Sequence, residues 1–147
     1  MHNLNPQQKR KARVTALQVI YAQEFQGSNM DTTFEHMLDP EDAPEDNVII
    51  YSRHLCVLTS QHLDEMDELI SKWSKNWDFK RIAIMDRLIL RMSLAEMLFE
   101  NEVPPKVSIT EGVEIAKQFS TSDSSSFING ILDAVYNDLL KGKEKVV

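Results

Sequence analysis

The first apolar pattern runs from Pro6 to about Phe25, where Ala12, Ala16, Leu17, Val19, Ile20 and Tyr21 recur at three- and four-residue spacing. That is the period of an α-helix, and these positions cover more than half of its circumference, so its second half is expected to be buried. Pro6 suits the first turn with Asn5 as its cap, and Gly27 ends the helix. A short helix from about Met30 to Leu38 carries Phe34, Met37 and Leu38. The stretch Asp39-Pro40-Glu41-Asp42-Ala43-Pro44 reads as a loop that restarts a helix at Pro44. That helix reaches about Ser60 on a stripe of Val48, Tyr51, Leu55 and Leu58. A further pattern from about Gln61 to Lys75 uses Leu63, Met66, Leu69 and Ile70, as a separate helix or as a continuation through a bend.

The most apolar segment is Phe79 to Phe99. It carries Ile82, Met85, Leu88, Ile89, Met92 and Ala95 on one side and Ile84, Leu94 and Leu98 on another. A helix apolar nearly all round belongs at the centre of a bundle. Pro104-Pro105 then breaks the chain. Either Pro105 opens the next helix or Ser108 and Glu111 form a capping box; the Pro start is preferred because Val107 already fits the stripe. This helix is expected to bury Ile109, Val113 and Ala116 and to end near Phe119. The last helix, capped by Ser122 or Asp123, carries Phe127, Ile128, Ile131, Leu132, Val135 and Leu139. Asn129-Gly130 lies inside that helical pattern. A helical Gly costs ~1 kcal/mol relative to Ala, which suggests a close backbone approach by another helix or by a ligand.

Composition agrees with an all-α fold. The chain has 147 residues, 42% of them hydrophobic, with 4 Gly and 5 Pro. So few turn-forming residues imply long helices and few connections, in one domain over 1–147. Cys56 is the lone cysteine, so no intramolecular disulfide forms and a reducing compartment is indicated. No apolar run approaches the ~18 residues of a membrane span. The start, MHNLNPQQKRKAR, lacks the apolar stretch of a signal peptide, and a cytoplasmic protein is expected.

Most catalytic and cofactor chemistry finds no residues to carry it. Gly27, Gly112, Gly130 and Gly142 are too scattered for a phosphate-cradling loop. No Glu has a His three residues later, as a di-metal carboxylate bundle requires. His54 and Cys56 diverge by about 200° on a helix, so they read as a surface His and a buried thiol rather than metal ligands. Ser124 to Ser126 lack the context of a nucleophile elbow and read as helix capping. Asp64, Glu65, Asp67 and Glu68 read as a solvated helix face. Trp73 and Trp77, one turn apart, read as packing rather than a base-stacking platform. Arg87 and Arg91 read as ion-pair partners for a neighbouring helix. No cofactor, metal or enzymatic activity is expected.

Charge changes the picture most. The net charge is −7, which by itself argues against a nucleic-acid partner. Yet Lys9, Arg10, Lys11 and Arg13 crowd together, and no further Lys or Arg occurs before Arg53. The intervening stretch holds Glu24, Asp31, Glu35, Asp39, Glu41, Asp42, Glu45 and Asp46. A basic arm over 1–13 is thus followed by an acidic segment. Clustered cations near a helix N-terminus are disfavoured by one another and by the macrodipole, and phosphate is the natural compensating anion.

The segment Pro105-Lys-Val-Ser-Ile-Thr-Glu-Gly-Val-Glu-Ile-Ala-Lys117, followed by Phe127-Ile-Asn-Gly-Ile-Leu-Asp133, resembles the NusB transcription antitermination family. Met85-Asp-Arg-Leu-Ile-Leu-Arg91 with Glu96, and Lys9-Arg-Lys-Ala-Arg13 with Ala16-Leu-Gln-Val-Ile-Tyr21, resemble it too. The resemblance implies an all-helical bundle of about seven helices in two packed subdomains, with a short tail over 142–147. It implies binding of single-stranded boxA leader RNA together with ribosomal protein NusE, in a complex with RNA polymerase and other Nus factors. On this resemblance Lys9, Arg10, Lys11 and Arg13 contact RNA, Phe127 and Asn129 lie near it, and Gly130 lets helices or RNA come close. Tyr21 and Asp86 face NusE, whose basic character suits an acidic body. The family includes dimers, so a homodimer is open. Two arm positions are Lys where the family often has Arg, which favours point-charge over bidentate contact. Other readings are the NusB-like module of a ribosomal RNA cytosine methyltransferase, disfavoured by the chain ending at Val147, and a helical domain that binds only proteins.

Overall fold

The computed structural model describes residues 3–27, 29–39, 41–75 and 78–142. Pro40, Trp77 and the tail from 143 onward, and with them the expected Trp73–Trp77 pairing, lie outside the described residues. Seven α-helices and no strand occur among the described residues: α1 Pro6–Gln26, α2 Met30–Met37, α3 Asp46–Gln61, α4 Leu63–Trp73, α5 Ile84–Phe99, α6 Pro105–Phe119 and α7 Ser122–Val135. They fall into two units, residues 1–57 and 58–147, and the division lies within α3.

In the first unit, α1 begins at a capping box. The Asn5 side chain accepts from the Gln8 amide at 2.8 Å, and the Gln8 side chain accepts from the Asn5 amide at 3.0 Å. Gly27 ends the helix at φ 67°, a left-handed conformation that only glycine adopts without strain. Ala12, Ala16, Leu17 and Val19 form its buried stripe, but the second half of the helix is not buried as expected: Ile20 is only half-buried and Tyr21 and Phe25 are exposed, because the stripe covers one face only. α2 packs on α1 through Phe34, over which the Arg53 guanidinium of α3 sits 4.7 Å from the ring centroid. Arg53 also pairs with Asp31. α3 starts at Asp46, two residues after the expected Pro44, because the Glu45 carbonyl takes the first helical bonds, from Val48 and Ile49.

In the second unit, α5 is the centre. Every residue from Leu88 to Leu98 is buried, Arg91, Ser93 and Glu96 included. α5 packs against α4, α6 and α7. The expected helix start at Phe79 is instead a 3-10 turn, Phe79–Arg81, capped by Asp78. The Phe79 ring lies beneath Arg87 and Arg91, at 5.4 and 5.8 Å from centroid to guanidinium. Arg91 Nε and Nη2 donate to Asp67 Oδ1 and Oδ2 at 2.7 and 3.0 Å, a fork that ties α5 to α4. Asp67 is therefore an ion-pair partner and not part of a merely solvated face. α3 and α4 are separate helices: His62 leaves helical geometry at φ −117°, and its ring stacks 3.7 Å from Phe99.

Four expectations are corrected here. Val107 is 40% exposed, and Ser108 turns inward instead, donating to the buried Glu96 carboxylate at 2.8 Å, which needs a donor. Ile115 rather than Val113 fills the core of α6. Thr121, not Ser122 or Asp123, caps α7, accepting from the Ser124 amide at 3.1 Å. After Val135 the chain widens into a π-helical turn, Tyr136–Leu140, which moves the core position by one residue from Leu139 to Leu140.

Candidate nucleic-acid interface

The basic arm is the second and third turn of α1. Lys9 is half-buried, while Arg10 and Lys11 are exposed. Arg13 differs: it is only 3% exposed, because its position shares the helix face of Ala16 and Leu17. The structure thus presents Lys9, Arg10 and Lys11 outward and turns Arg13 into the protein. Farther along α1, Tyr21 is 38% exposed, and its ring packs against Phe25 at 4.8 Å between centroids. Phe25 is itself 63% exposed. The sequence reading missed it, although its spacing of four residues from Tyr21 places both rings on one face.

In the second unit a cleft of about 290 Å³ opens beside the N-terminal turn of α7. Phe127, Asp123 and Ser124 line it from α7, and Asp86 lines it from α5, with Arg81 from the 3-10 turn. Phe127 and Asp86, far apart in sequence, are brought to one cleft. Asp86 is nearly buried and accepts a 2.8 Å bond from Ser120 Oγ, which holds its carboxylate in place. Arg81, Asp123 and Ser124 were missed. An aromatic wall with one guanidinium and two carboxylates offers stacking and both signs of charge to a ligand.

The remaining α7 candidates separate. Asn129 is exposed, but it stands about 200° round the helix from Phe127 and does not line the cleft. Gly130 is exposed on the other flank of Phe127. A Cβ built on it meets nothing within 4 Å, so the close approach of another helix expected there does not occur among the described residues. That approach occurs at Gly112, where a Cβ would lie 2.7 Å from Ser93 Oγ.

Burial pushes the Cys56 thiol up to about 12, and its Sγ donates to the Ala16 carbonyl at 3.7 Å. It is a packed thiol, not a nucleophile. No cluster able to hold a metal occurs among the described residues. No helix of the described residues is long and apolar enough to cross a membrane.

The NusB family model matches residues 10–137. The chain belongs to the NusB family. It is 41% identical over 134 residues to a transcription antitermination protein NusB of Chloroherpeton thalassium, covering 89% of this chain and 62% of that relative. This NusB-family chain therefore spans less than two thirds of that relative's length. Among solved structures it resembles T. maritima NusB with a TM-score of 0.77 at 30% identity, over 88% of this chain and 91% of that one. A chain in a crystal structure of antitermination factors NusB and NusE in complex with dsRNA has the same fold. Its TM-score is 0.76 at 23% identity, over 91% of this chain and 99% of that one.

Proposed function

We propose that this protein is a non-enzymatic, cytoplasmic transcription antitermination factor. It binds the boxA element of ribosomal RNA operon leader RNA together with ribosomal protein NusE, and through that complex acts with RNA polymerase and other Nus factors to suppress premature termination. The observation that carries the reading is the outward-facing Lys9, Arg10 and Lys11 on α1 of a NusB-family chain whose net charge is −7. The three cations meet phosphates. In the second unit, Phe127 offers a ring to an unstacked base, which single-stranded RNA presents and a duplex does not. Exposed Tyr21 and Phe25 give NusE an aromatic anchor, and the acidic body complements a basic ribosomal protein. Asp86, held by Ser120 at the wall of the cleft, presents its carboxylate to a basic group of NusE.

A gel shift tests this. Labelled boxA RNA, single-stranded or annealed to its complement, is titrated with the protein with and without NusE. Salt-sensitive binding of the single strand, strengthened by NusE, is the expected result. The triple variant Lys9→Ala, Arg10→Ala, Lys11→Ala should weaken it severely. Binding of NusE with no RNA binding under any condition would make the protein a helical interaction domain instead.

A further inference from the structure

Beyond Phe127 a second groove, of about 400 Å³, runs between the end of α4 and α7. Phe127 is its boundary with the first cleft, and Trp73, Lys75 and Gly130 are among its other walls. Its chemistry differs from that of the cleft. Asp86 and Asp123 line the cleft, whereas among the described residues no carboxylate lines the groove. Trp73 is half-buried with its Nε1 shut off from solvent, so a ligand meets the ring and not the N–H. The Lys72 and Lys75 ammoniums stand 5.1 and 5.9 Å from the centroid of that ring. Lys72 is shared with Asp138 at 3.3 Å, which leaves Lys75 as the cation of the groove wall.

Gly130 is the second, independent observation. A glycine inside a helix weakens it, and among the described residues no neighbour requires this one, since a Cβ there would meet none of them within 4 Å. What the missing side chain does leave open is the groove. An aromatic face, a cation, a bare stretch of helix backbone and an adjoining second ring make a platform for a strand whose bases stack in succession and whose backbone is anionic.

We propose that this groove holds a further nucleotide of the single-stranded RNA, next to the one at Phe127. Its base stacks on Trp73, its phosphate is met by Lys75, and the strand passes over Gly130. Trp73 and Lys75 are then RNA-binding residues, and the bound strand extends across α7 toward the end of α4. This rests on the RNA reading above.

The test uses the full chain with NusE and the single-stranded boxA RNA. The protein has two tryptophans, Trp73 and Trp77, so a Trp77→Phe background makes emission report on Trp73 alone. RNA should quench that emission along the binding curve. Trp73→Ala should weaken RNA binding between about fivefold and about 150-fold, and Trp73→Phe should keep most of the affinity. Lys75→Ala should reduce the salt slope by about 0.7. Should Trp73→Ala not fold, Gly130→Gln fills the groove while favouring the helix, and it should lower RNA affinity while raising the unfolding temperature. If wild type binds RNA and the arm triple variant does not, yet the Trp73, Lys75 and Gly130 variants bind as wild type, the groove inference is overturned and the RNA reading stands. If wild type binds no RNA, both fall. Loss of NusE binding in the groove variants, with RNA binding intact, would assign the groove to a protein and overturn the inference.

Discussion

Gly112 and Gly130 both lie inside helices, and the structure gives them opposite signs on substitution by alanine. At Gly112 the new Cβ would sit 2.7 Å from Ser93 Oγ, 3.1 Å from Leu132 Cδ1 and 3.3 Å from Ser93 Cβ. The hydroxyl can rotate away, but the Ser93 Cβ is fixed to the backbone of α5, so α6 must shift by a few tenths of an ångström. Overpacking of this kind costs about 1–3 kcal/mol. The helix gains back ~1 kcal/mol from losing a glycine. The net expectation is a loss of about 1 kcal/mol, which at a urea m-value of about 1–3 kcal/mol/M lowers the midpoint by roughly 0.3–1 M. At Gly130 the Cβ meets nothing, so only the helix term acts and Gly130→Ala should gain ~1 kcal/mol. Urea unfolding followed by far-ultraviolet circular dichroism, with unchanged m, measures both. Ser93→Ala combined with Gly112→Ala should lose less than the sum of the two single changes, by roughly 0.5–1 kcal/mol. A Gly112→Ala protein as stable as wild type, or strict additivity with Ser93→Ala, would refute the reasoning.

Other expectations follow from single contacts. Asp67→Asn breaks the fork to the nearly buried Arg91 and should cost about 1–3 kcal/mol in the same unfolding assay. Replacing Asn5 by Ala removes the cap of α1 and should cost ~1 kcal/mol, read as a lower unfolding temperature. Cys56 should resist thiol reagents in the native protein and react at once in denaturant. Its thiol is pushed from 9.0 to about 12 by burial. Above pH 9 the unfolded chain therefore releases a proton that the folded chain keeps, and this group's contribution makes stability fall as pH rises from 9 toward 12. Below pH 9 both states are protonated and the group adds no pH dependence. With Arg13 turned inward, Lys9, Arg10, Lys11 and the groove's Lys75 make four phosphate contacts, a salt slope of roughly −3 on single-stranded RNA. If Arg13→Ala lowered that slope by a further ~0.7, Arg13 would have to swing out on binding.

Much of the fold was legible because local rules and burial agree. Asn5, Pro6 and Gly27 bound α1 as caps should, and the all-round apolar pattern of α5 is a helix buried from Leu88 to Leu98. The misplaced positions share a cause. Val107 and Ser108 traded places because a buried carboxylate, Glu96, required a hydroxyl, and hydrophobic periodicity carries no record of a polar partner on another helix. Leu139 gave way to Leu140 because a π turn changes the period itself.

For function, the sequence alone determined the helical class, the family motifs and the cluster of cations on one short stretch, since these depend only on residue type and spacing. Which cations face outward it did not determine. Arg13 belongs to the cluster by spacing, but it lies on the buried side of α1, and helix rotation is set by what the helix packs against. Nor could spacing bring Phe127, Asp86 and Arg81 to one cleft, or tell the glycine that serves packing from the one that leaves a groove open. Those depend on distances between segments far apart in the chain, and only tertiary packing supplies them.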